Sequence, residues 1–497
     1  MSNLNDNMII AETKNNSSEK VPVKNATSQE IANKDITAAE SSVEAKTSEN
    51  TQLENDSQVV DSTPKEFNRA SIEELGSLVH LVDSDEDNKL DMFCYIKCSE
   101  SDSDILKQCR GVVFNDQTLV MKAFPYTIEY NHTDTDGINN ALSKFSNWSF
   151  FDSHEGALVR MFHFGEKWYL STHRKFNAFK SKWASKDSFG TSFKNALLSE
   201  EQHNESFKNS LSQGDNILER FQTTLDKSRQ YMFLVRNNKD NRIVCDPPDR
   251  HTVFHVGTFI DGELSVNDKI CIPSPKEYKF SNIENLLEYV DSVSYNNLQG
   301  IIAFDKKNKK VVKIFHQSYQ DLFKARGNEP SIKFRYLQVR MQRRTLNMLY
   351  HLYPDKIEVF DEYENTLFDI TRSIYRSYVQ RFIKKTYVTV PKEEFSVIRD
   401  CHSWHLSDRE NNRISIDIVT NFMNKQSPTS LNHMIRRYKL EKTRQIDQQE
   451  TNRPREDSTK SYEKSPAVRL IQTVPISPLL LSANNKPIIT TSVKQKR

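Results

Sequence analysis

The sequence predicts an α+β domain built mostly from antiparallel sheets, followed by an all-helical domain. Two observations support this fold class: short strand-like runs with a few helices occupy residues 75–320, and a helical period replaces them from about 332 to 438. A third observation is that both ends of the chain are polar and poor in aromatic residues. The predicted divisions are a disordered extension at 1–66, an α+β domain at 67–330, a helical domain at 331–438 and a disordered tail at 439–497.

The strand-like runs alternate apolar and polar residues and carry many aromatic residues. MFCYIKC at 92–98 is one such run. GVVFND and TLVMKAFP predict a hairpin around Asn115-Asp116, and ALVRMFHFGEKWYLSTH predicts another around Gly165-Glu166. Further predicted strands are YMFLVR, RIVCD, TVFHVGTFIDGEL, GIIAFD and VVKIFH, and the predicted helices between them are SFKNALLSEEQHNESFKNSLSQ and IENLLEYVDSV.

Amphipathic runs at helical spacing predict the second domain, and the ends of the chain differ from it in composition. RYLQVRMQRRTLNMLYHLY, DEYENTLFDITRSIYRSYVQRFIKK, ISIDIVTNFMNK and SPTSLNHMIRRYKLEK all have this spacing. Residues 1–64 contain no aromatic residue and no glycine, and they carry 11 acidic against 5 basic residues. Such a segment buries too little apolar surface to offset its chain entropy, so we expect disorder at both ends.

Composition and charge exclude several classes of protein. The chain has only 11 glycines in 497 residues, which argues against the glycine-rich phosphate loops of P-loop and Rossmann proteins. A net charge of +2 means that any nucleic-acid surface must be a local patch. The longest apolar cluster near the end, PLLLSA, is too short to cross a membrane, so no membrane association is expected.

The six cysteines are scattered along the chain and lack the paired spacing of a zinc site. We therefore predict reduced thiols in an intracellular, cytoplasmic protein, and no metal site. CHSWH at 401–405 has no second pair of ligands and is interpreted as structural. The cysteines are Cys94, Cys98, Cys109, Cys245, Cys271 and Cys401.

Five short motifs occur in a characteristic order: CRGVVF, SHEG, FLV followed by NRIV, QGII and VKIF. Over about residues 90–325 this order resembles the nucleotidyltransferase motifs of the T-even phage type of RNA ligase, and also RNA-ligase-like proteins of large DNA viruses. The resemblance implies an ATP-grasp-like ligase fold with a helical module behind it. It further implies ATP and Mg²⁺ as cofactors of an active member, RNA as a partner, and the cytoplasm of an infected cell as the location if the protein is viral.

Members of this family use a lysine that attacks the α-phosphate of ATP and carries AMP to an RNA 5′-phosphate. In SHEG the lysine position is Ser153, whose hydroxyl cannot form the phosphoramidate bond. His154 occupies the variable position and is interpreted as a packed or solvated histidine. The next basic segment, STHRK, supplies Lys175 as a candidate substitute nucleophile.

The resemblance assigns nucleotide binding to residues that match or replace the family's motif positions. Arg110-Gly111 matches an arginine-glycine pair, Glu155 replaces an aspartate, and Gln299 replaces a glutamate. Elsewhere the expected charges are lost, because the strand that should hold a glutamate reads Phe233 and Leu234, and the second lysine of VKIF is Phe315. The predicted nucleotide-binding residues are Arg110, Gly111, Glu155, Gly156, Arg174, Gln299 and Lys313.

The helical region carries cations at helical spacing with tyrosines between them, a pattern that favours RNA binding. Acidic residues at Asp361, Glu362 and Glu364 share the region, so part of this surface also fits a solvated helix face. The predicted RNA-binding residues are Arg340, Arg343, Arg344, Arg376, Arg381, Lys384 and Lys385.

Three hypotheses follow from the sequence. The favoured one is an RNA-ligase-like pseudoenzyme that binds nucleotide or RNA ends without forming a lysyl-adenylate, since several charged positions change together. The second is an active ATP-dependent RNA ligase in RNA repair with Lys175 as its relocated nucleophile. The third is a non-enzymatic scaffold that uses the helical module and the polar ends, with protein partners that the sequence does not identify.

Overall fold

The computed structural model describes residues 66–239, 243–307 and 310–451, and the predicted disorder at 1–65 and 452–497 lies outside these ranges. The described residues up to Tyr438 belong to one compact unit, and those from Lys439 onward belong to a second. The fold is α+β, as the sequence predicts, with largely antiparallel sheets and a helical C-terminal region. No helix among the described residues is long and apolar enough to cross a membrane.

The strands form three sheets. The strands are β1 Val79–Asp85, β2 Leu90–Tyr95, β3 Arg110–Asn115, β4 Thr118–Met121, β5 Thr127–Asn131, β6 Trp148–Ser153, β7 Ala157–Phe164, β8 Lys167–Ser171, β9 Gln230–Arg236, β10 Thr252–Ile260, β11 Glu263–Ser265, β12 Glu277–Tyr278, β13 Gly300–Asp305 and β14 Val311–Phe315. Their order is β1-β2-β3-β4 in the first sheet, β11-β10-β9-β7-β8 in the second and β12-β6-β13-β14-β5 in the third. Only the β14–β5 pairing is parallel among the described strands.

The helices cover the sheets and form the C-terminal region. They are α1 Arg69–Glu73, α2 Asp104–Lys107, α3 Thr135–Ala141, α4 Phe189–His203, α5 Glu205–Ser210, α6 Ile217–Gln222, α7 Ile283–Ser292, α8 Gln317–Arg326, α9 Ile332–Val339, α10 Arg343–Leu352, α11 Ile357–Tyr378, α12 Lys392–Ser407, α13 Ile416–Asn424 and α14 Pro428–Thr451. Asparagine or serine caps begin many of them, including Asn68 at α1, Ser188 at α4 and Asn282 at α7.

Both predicted hairpins are confirmed. β3 and β4 pair around Asp116, and β7 and β8 pair around Gly165. Each turn residue has a positive φ, +48° and +60°, a conformation that aspartate and especially glycine adopt at low cost. Local turn chemistry therefore determines these two hairpins.

Two sequence predictions need correction. RIVCD was expected to be a strand, but residues 243–245 lie in a loop, because their N–H groups bond to a buried carboxylate instead of a neighbouring strand. The helical pattern was expected to end near 438, but α14 continues to Thr451. The segment 439–451 holds helix-compatible residues without proline or glycine, and the next helix breaker is Pro454.

The hydrophobic core lies on both sides of each sheet. One cluster lies among the three sheets, with members such as Met92, Phe162 and Phe304. A larger cluster is continuous from the second sheet and α4 through to the C-terminal helices, linking residues such as Phe233 and Phe360. Burial of this shared apolar surface holds the helices against the α+β part.

Gly300 allows β13 and β14 to approach closely beside Ser153. Its φ is +143°, and a Cβ atom there would overlap the carbonyl oxygen of Ile314. We expect Gly300→Ala to lower the free energy of unfolding by roughly 2 kcal/mol or more. Gly76→Ala is the matched control, since Gly76 also has a positive φ but faces open space. Denaturant midpoints measure both changes, and equal shifts for the two variants would contradict this packing argument.

Candidate nucleotide site

A cavity of about 200 Å³ is lined by residues of all three sheets. Its floor is apolar and aromatic, with Phe124 and Phe151 each about 6 Å from Phe304. Polar residues from several separated strands complete the wall. The polar and charged lining residues include Arg110, Asp152, Ser153, His154, Arg160, His173, His255, Gln299 and Lys313.

Ser153 is the last residue of β6 and lines this cavity. It pairs with Gly300 in the register of the third sheet, and its side chain is 3% exposed. The hydroxyl donates a hydrogen bond of 2.9 Å to Oε1 of Gln299. The residue at the predicted lysine position is thus a short, neutral group tied to the cavity wall.

Gln299 connects three side chains around the cavity. Its Oε1 accepts hydrogen bonds from Ser153 and from Nζ of Lys313, the latter at 3.1 Å. Its Nε2 donates to the hydroxyl of Tyr319 at 2.6 Å. A glutamine supplies both a donor and an acceptor here, which a carboxylate could not do.

Lys313 and Arg110 bring positive charge to the same cavity. Removal from water lowers the pKa of the Lys313 ammonium, the charge of Arg110 lowers it further, and Glu129 on the neighbouring strand opposes the shift. Arg110 donates a hydrogen bond of 3.4 Å to the hydroxyl of Tyr95. The structure therefore brings Arg110 together with Gln299 and Lys313, which lie far from it in the sequence.

Arg160 is a further cation in the wall, and the motif pattern did not reveal it. Its guanidinium, 2% exposed, donates to the carbonyl oxygens of Gly111 and Thr172, the latter at 2.7 Å. Burial lowers the pKa of Arg160 to about 10. The sequence signal was the single cation in the apolar run ALVRMFHF, which is unusual for a buried strand.

Gly111 lets the start of β3 approach the segment that carries His173. Its φ is +79°, and a Cβ atom would lie 2.5 Å from the His173 Cα atom. Burial keeps the pKa of His173 well below its usual value, and the charges of Arg110, Arg160 and Arg174 add to that effect. Gly111 itself thus acts through close packing and is not among the residues that line the cavity.

The charges around the cavity are unbalanced. Arg110, Arg160 and Lys313 line it, and Asp152 is the only carboxylate among the described lining residues. Hydroxyl groups of Tyr289 and Tyr278 donate to Asp152, while burial raises its pKa. Cations therefore outnumber carboxylates in the described wall of the cavity, and Glu129 acts on Lys313 from the neighbouring strand.

Glu155 has a different position from the one predicted. Its carboxylate is 6% exposed and accepts N–H groups of Ile243, Val244 and Cys245 at 2.8 to 3.1 Å. The Tyr319 hydroxyl adds a fourth contact at 3.2 Å. Because these bonds hold the carboxylate away from the cavity, Glu155 anchors a loop and does not line the predicted nucleotide site.

Gly156, next to Glu155, does line the cavity. A Cβ atom there would lie 2.7 Å from the carbonyl oxygen of Val235 on β9. The glycine thus lets the start of β7 pack closely against the neighbouring strand. The two neighbouring residues therefore serve different purposes, one inside the protein and one at the cavity.

Lys175 and Arg174 also differ from the prediction. Lys175 lies in a second cleft, of about 840 Å³, where its Nζ is 3.6 Å from Oδ1 of Asp83. A tight turn in which the N–H of Thr172 donates to the Lys175 carbonyl at 2.8 Å leads the chain toward that cleft. Neither Lys175 nor Arg174 lines the cavity at Ser153, so the geometry does not support Lys175 as a substitute nucleophile there.

The uncharged motif replacements pack as hydrophobic residues. Phe233 is fully buried against Phe193 and Phe221, which confirms its interpretation as a core residue. Leu234 lines the cavity, and Phe315 stacks on Tyr319 at 5.6 Å. The Asn241 and Arg242 positions of the NRIV motif lie outside the described residues.

His154 is packed, which is one of the two states that the sequence analysis expected. Its ring stacks on Phe254 with 4.4 Å between centroids. Burial lowers the pKa of His154 to about 4, with a smaller contribution from Arg236. At neutral pH it is therefore uncharged, and it adds an aromatic edge to the cavity wall.

The described residues contain no group of three or more His, Cys, Asp or Glu side chains that could hold a metal ion.

The predicted RNA-binding residues divide into two sets. Arg340 forms two 2.7 Å hydrogen bonds to the carboxylate of Glu364 and a third to Asn424. It therefore links helices, whereas the sequence analysis predicted that it binds RNA. Tyr336 is likewise buried and bonds Glu364. The remaining predicted cations are exposed: Arg343, Arg344, Arg376, Arg381, Lys384 and Lys385.

Comparison with known proteins gives distant relatives. No family model matches the chain. It is 26% identical over 373 residues to the immediate-early protein ICP-46 homolog of Invertebrate iridescent virus 6, covering 70% of this chain and 80% of that protein. It is also 26% identical to the ICP-46 homolog of Invertebrate iridescent virus 3 and 24% identical to ICP-46 of Frog virus 3, covering 57% and 49% of this chain and 62% of each relative.

Among solved structures the chain is similar to ATP-dependent RNA ligases. Two forms of an archaeal enzyme give TM-scores of 0.35 and 0.31 at 11% and 10% identity, covering 58% and 76% of this chain and 78% of each enzyme. An RNA ligase of Naegleria gruberi with ATP and Mn gives 0.25 at 8% identity, covering 37% of this chain and 55% of that one.

Removal of the Glu155 carboxylate leaves three buried N–H groups without an acceptor. We expect Glu155→Ala to lower the free energy of unfolding by about 3 kcal/mol or more. Glu155→Gln keeps one acceptor oxygen and should cost less. Chemical denaturation measures both variants, and a Glu155→Ala protein as stable as the wild type would contradict the anchoring role.

The depressed pKa of His154 predicts a pH effect. The unfolded state takes up a proton below about pH 6.5, whereas the folded state resists protonation until about pH 4. Stability contributed by the neutral ring is therefore present above pH 6.5 and lost as pH falls toward 4. Relative to His154→Phe, the wild type should lose about 2 to 3 kcal/mol between pH 7 and pH 4.5. Parallel pH profiles of the two denaturant midpoints would contradict this.

Proposed function

We propose that this protein is an RNA-ligase-like nucleotidyltransferase fold that binds a nucleotide or a phosphorylated RNA end without forming a covalent adenylate. The observation that carries the proposal is the cavity in which Arg110, Lys313 and Arg160 meet beside Ser153, the residue at the predicted lysine position. A cavity that combines cations with an aromatic floor suits a phosphate group joined to a base or a sugar.

The proposed division of labour follows from the contacts. Arg110 and Lys313 bind phosphate, because both line the cavity and carry donors. Gln299 orients Lys313 through the 3.1 Å bond and fixes the Ser153 hydroxyl. The aromatic floor of Phe124 and Phe304 receives the apolar part of the ligand.

Loss of adenylyl transfer is part of the proposal. Covalent catalysis here needs an amine placed against the α-phosphate. Ser153 supplies a hydroxyl that is already bonded to Gln299, and Lys175 is paired with Asp83 in the other cleft. In the alternative of an active ligase, ATP and Mg²⁺ would be the cofactors, and Arg110 and Lys313 would bind the phosphates of ATP. The proposed setting is the cytoplasm of an infected cell, in keeping with viral relatives.

Incubation with α-labelled ATP and either Mg²⁺ or Mn²⁺ tests both halves of the proposal. Filter binding reports non-covalent nucleotide, and denaturing electrophoresis reports covalent AMP. We expect filter binding without a labelled band on the gel. Arg110→Ala and Lys313→Ala should each weaken binding by about tenfold or more, since each removes a charge-assisted contact of roughly 1.5 to 3 kcal/mol.

Lys175→Ala is the matched control, since it removes a lysine from the neighbouring cleft. It should leave nucleotide binding unchanged. A labelled band that disappears with Lys175→Ala or Lys313→Ala would establish a relocated nucleophile and contradict the pseudoenzyme. Absence of any bound nucleotide or RNA would instead favour the scaffold hypothesis.

A further inference from the structure

The C-terminal end of α11 carries an exposed surface whose residues do not line the nucleotide cavity. A π-helical turn, Val379–Ile383, follows α11 directly. The N–H of Lys384 donates to the Val379 carbonyl, and the N–H of Thr386 donates to the Gln380 carbonyl, both at 2.9 Å. These hydrogen bonds define the backbone path of the loop, and with it the backbone positions of the residues after the turn.

Side chains on the inner side of this turn are packed against α12. Phe382 stacks on His402 with 3.7 Å between centroids, and the Tyr378 hydroxyl lies 3.3 Å from Nδ1 of His402. His402 thus has structural partners, and Nδ1 of His405 lies 2.6 Å from the carbonyl oxygen of Asn412, as the structural interpretation of CHSWH expected. The packing leaves the other side chains of the turn at the surface.

The outer side combines aromatic rings with cations. Tyr387 is 89% exposed, which is unusual for so large a ring. The guanidinium of Arg381 lies 4.9 Å from the ring centroid of Phe395, which is itself 36% exposed. Aromatic and guanidinium planes of this kind stack on unpaired bases.

The charge of this surface is strongly one-sided. Residues 376–391 contain no acidic residue. The next acids in the chain, Glu393 and Glu394, are both bonded to Arg437, at 2.7 and 3.0 Å. The single guanidinium of Arg437 therefore offsets one of these two negative charges. The cations of this segment are Arg376, Arg381, Lys384 and Lys385.

We propose that this basic-aromatic patch binds an unpaired stretch of RNA. The patch is defined by Arg376, Arg381, Lys384, Lys385, Tyr387 and Phe395. The inference deepens the proposed function and rests on it, because it names single-stranded RNA as the form of the substrate. Cations alone would accept duplex and single strand, whereas an exposed aromatic ring gains stacking energy only from bases that are not already stacked in a helix.

Fluorescence anisotropy with one labelled RNA sequence tests the patch, using single-stranded and duplex forms, each with a 5′-phosphate or a 5′-hydroxyl. Tyr387→Ala should weaken single-strand binding about 5- to 100-fold and leave duplex binding nearly unchanged. Tyr387→Phe keeps the ring and should retain affinity. Lys384→Gln with Lys385→Gln should reduce the slope of log affinity against log salt by about 1.4 for single strands.

The exposed pair Lys306 and Lys307 offers a matched control, because Lys306→Gln with Lys307→Gln removes the same charge from another surface. Equal losses for the two double variants, or full single-strand affinity in Tyr387→Ala, would overturn the patch. So would an altered oligomeric state in Tyr387→Ala with unchanged RNA affinity, which would make the patch a contact between copies.

This experiment distinguishes a failure of the cavity proposal from a failure of the patch proposal. Binding that ignores the 5′-phosphate and Arg110→Ala but still depends on Tyr387 would contradict the proposed cavity function alone. Binding that depends on the 5′-phosphate but ignores the patch variants would contradict this inference alone. A wild-type protein that binds none of the four RNA forms overturns the patch outright.

Discussion

The buried carboxylate of Glu155 is the interaction on which the site depends. It collects three backbone N–H groups from residues 243–245 and the hydroxyl of Tyr319. The Tyr319 hydroxyl also accepts a hydrogen bond from Gln299, and Gln299 in turn accepts hydrogen bonds from Ser153 and Lys313. One desolvated group therefore organises a loop, a helix and two strands, and its burial is tolerable only because its oxygens are so fully bonded.

The same network keeps the interior hydrogen-bonded with a serine at position 153. Gln299 needs both a donor and an acceptor to bond Tyr319, Ser153 and Lys313 together. A neutral glutamine and a serine satisfy one another, so the interior remains hydrogen-bonded. The cavity wall carries cations and presents a hydroxyl group, not an amine, at Ser153.

Local patterns predicted the elements well and the side-chain environments less well. Turn residues at Asp116 and Gly165 revealed two hairpins, because their chemistry is decided within a few residues. Glu155 was predicted to face the nucleotide because its motif position suggested it. It instead faces inward, since it follows the end of β6, where the alternation of strand side chains no longer applies.

By itself the sequence determined the fold class and the order of most elements, because periodicity and turn residues are local properties. The assignment of Ser153 to a lysine position came from the resemblance and stays a prediction. Only the tertiary structure decided which cations share a cavity. Arg160 lines the same cavity as Arg110 and Lys313. Lys175 is instead paired with Asp83, and Arg340 with Glu364. These outcomes depend on the close approach of strands and helices distant in the chain, and the spacing of residues along a single strand or helix carries no information about it.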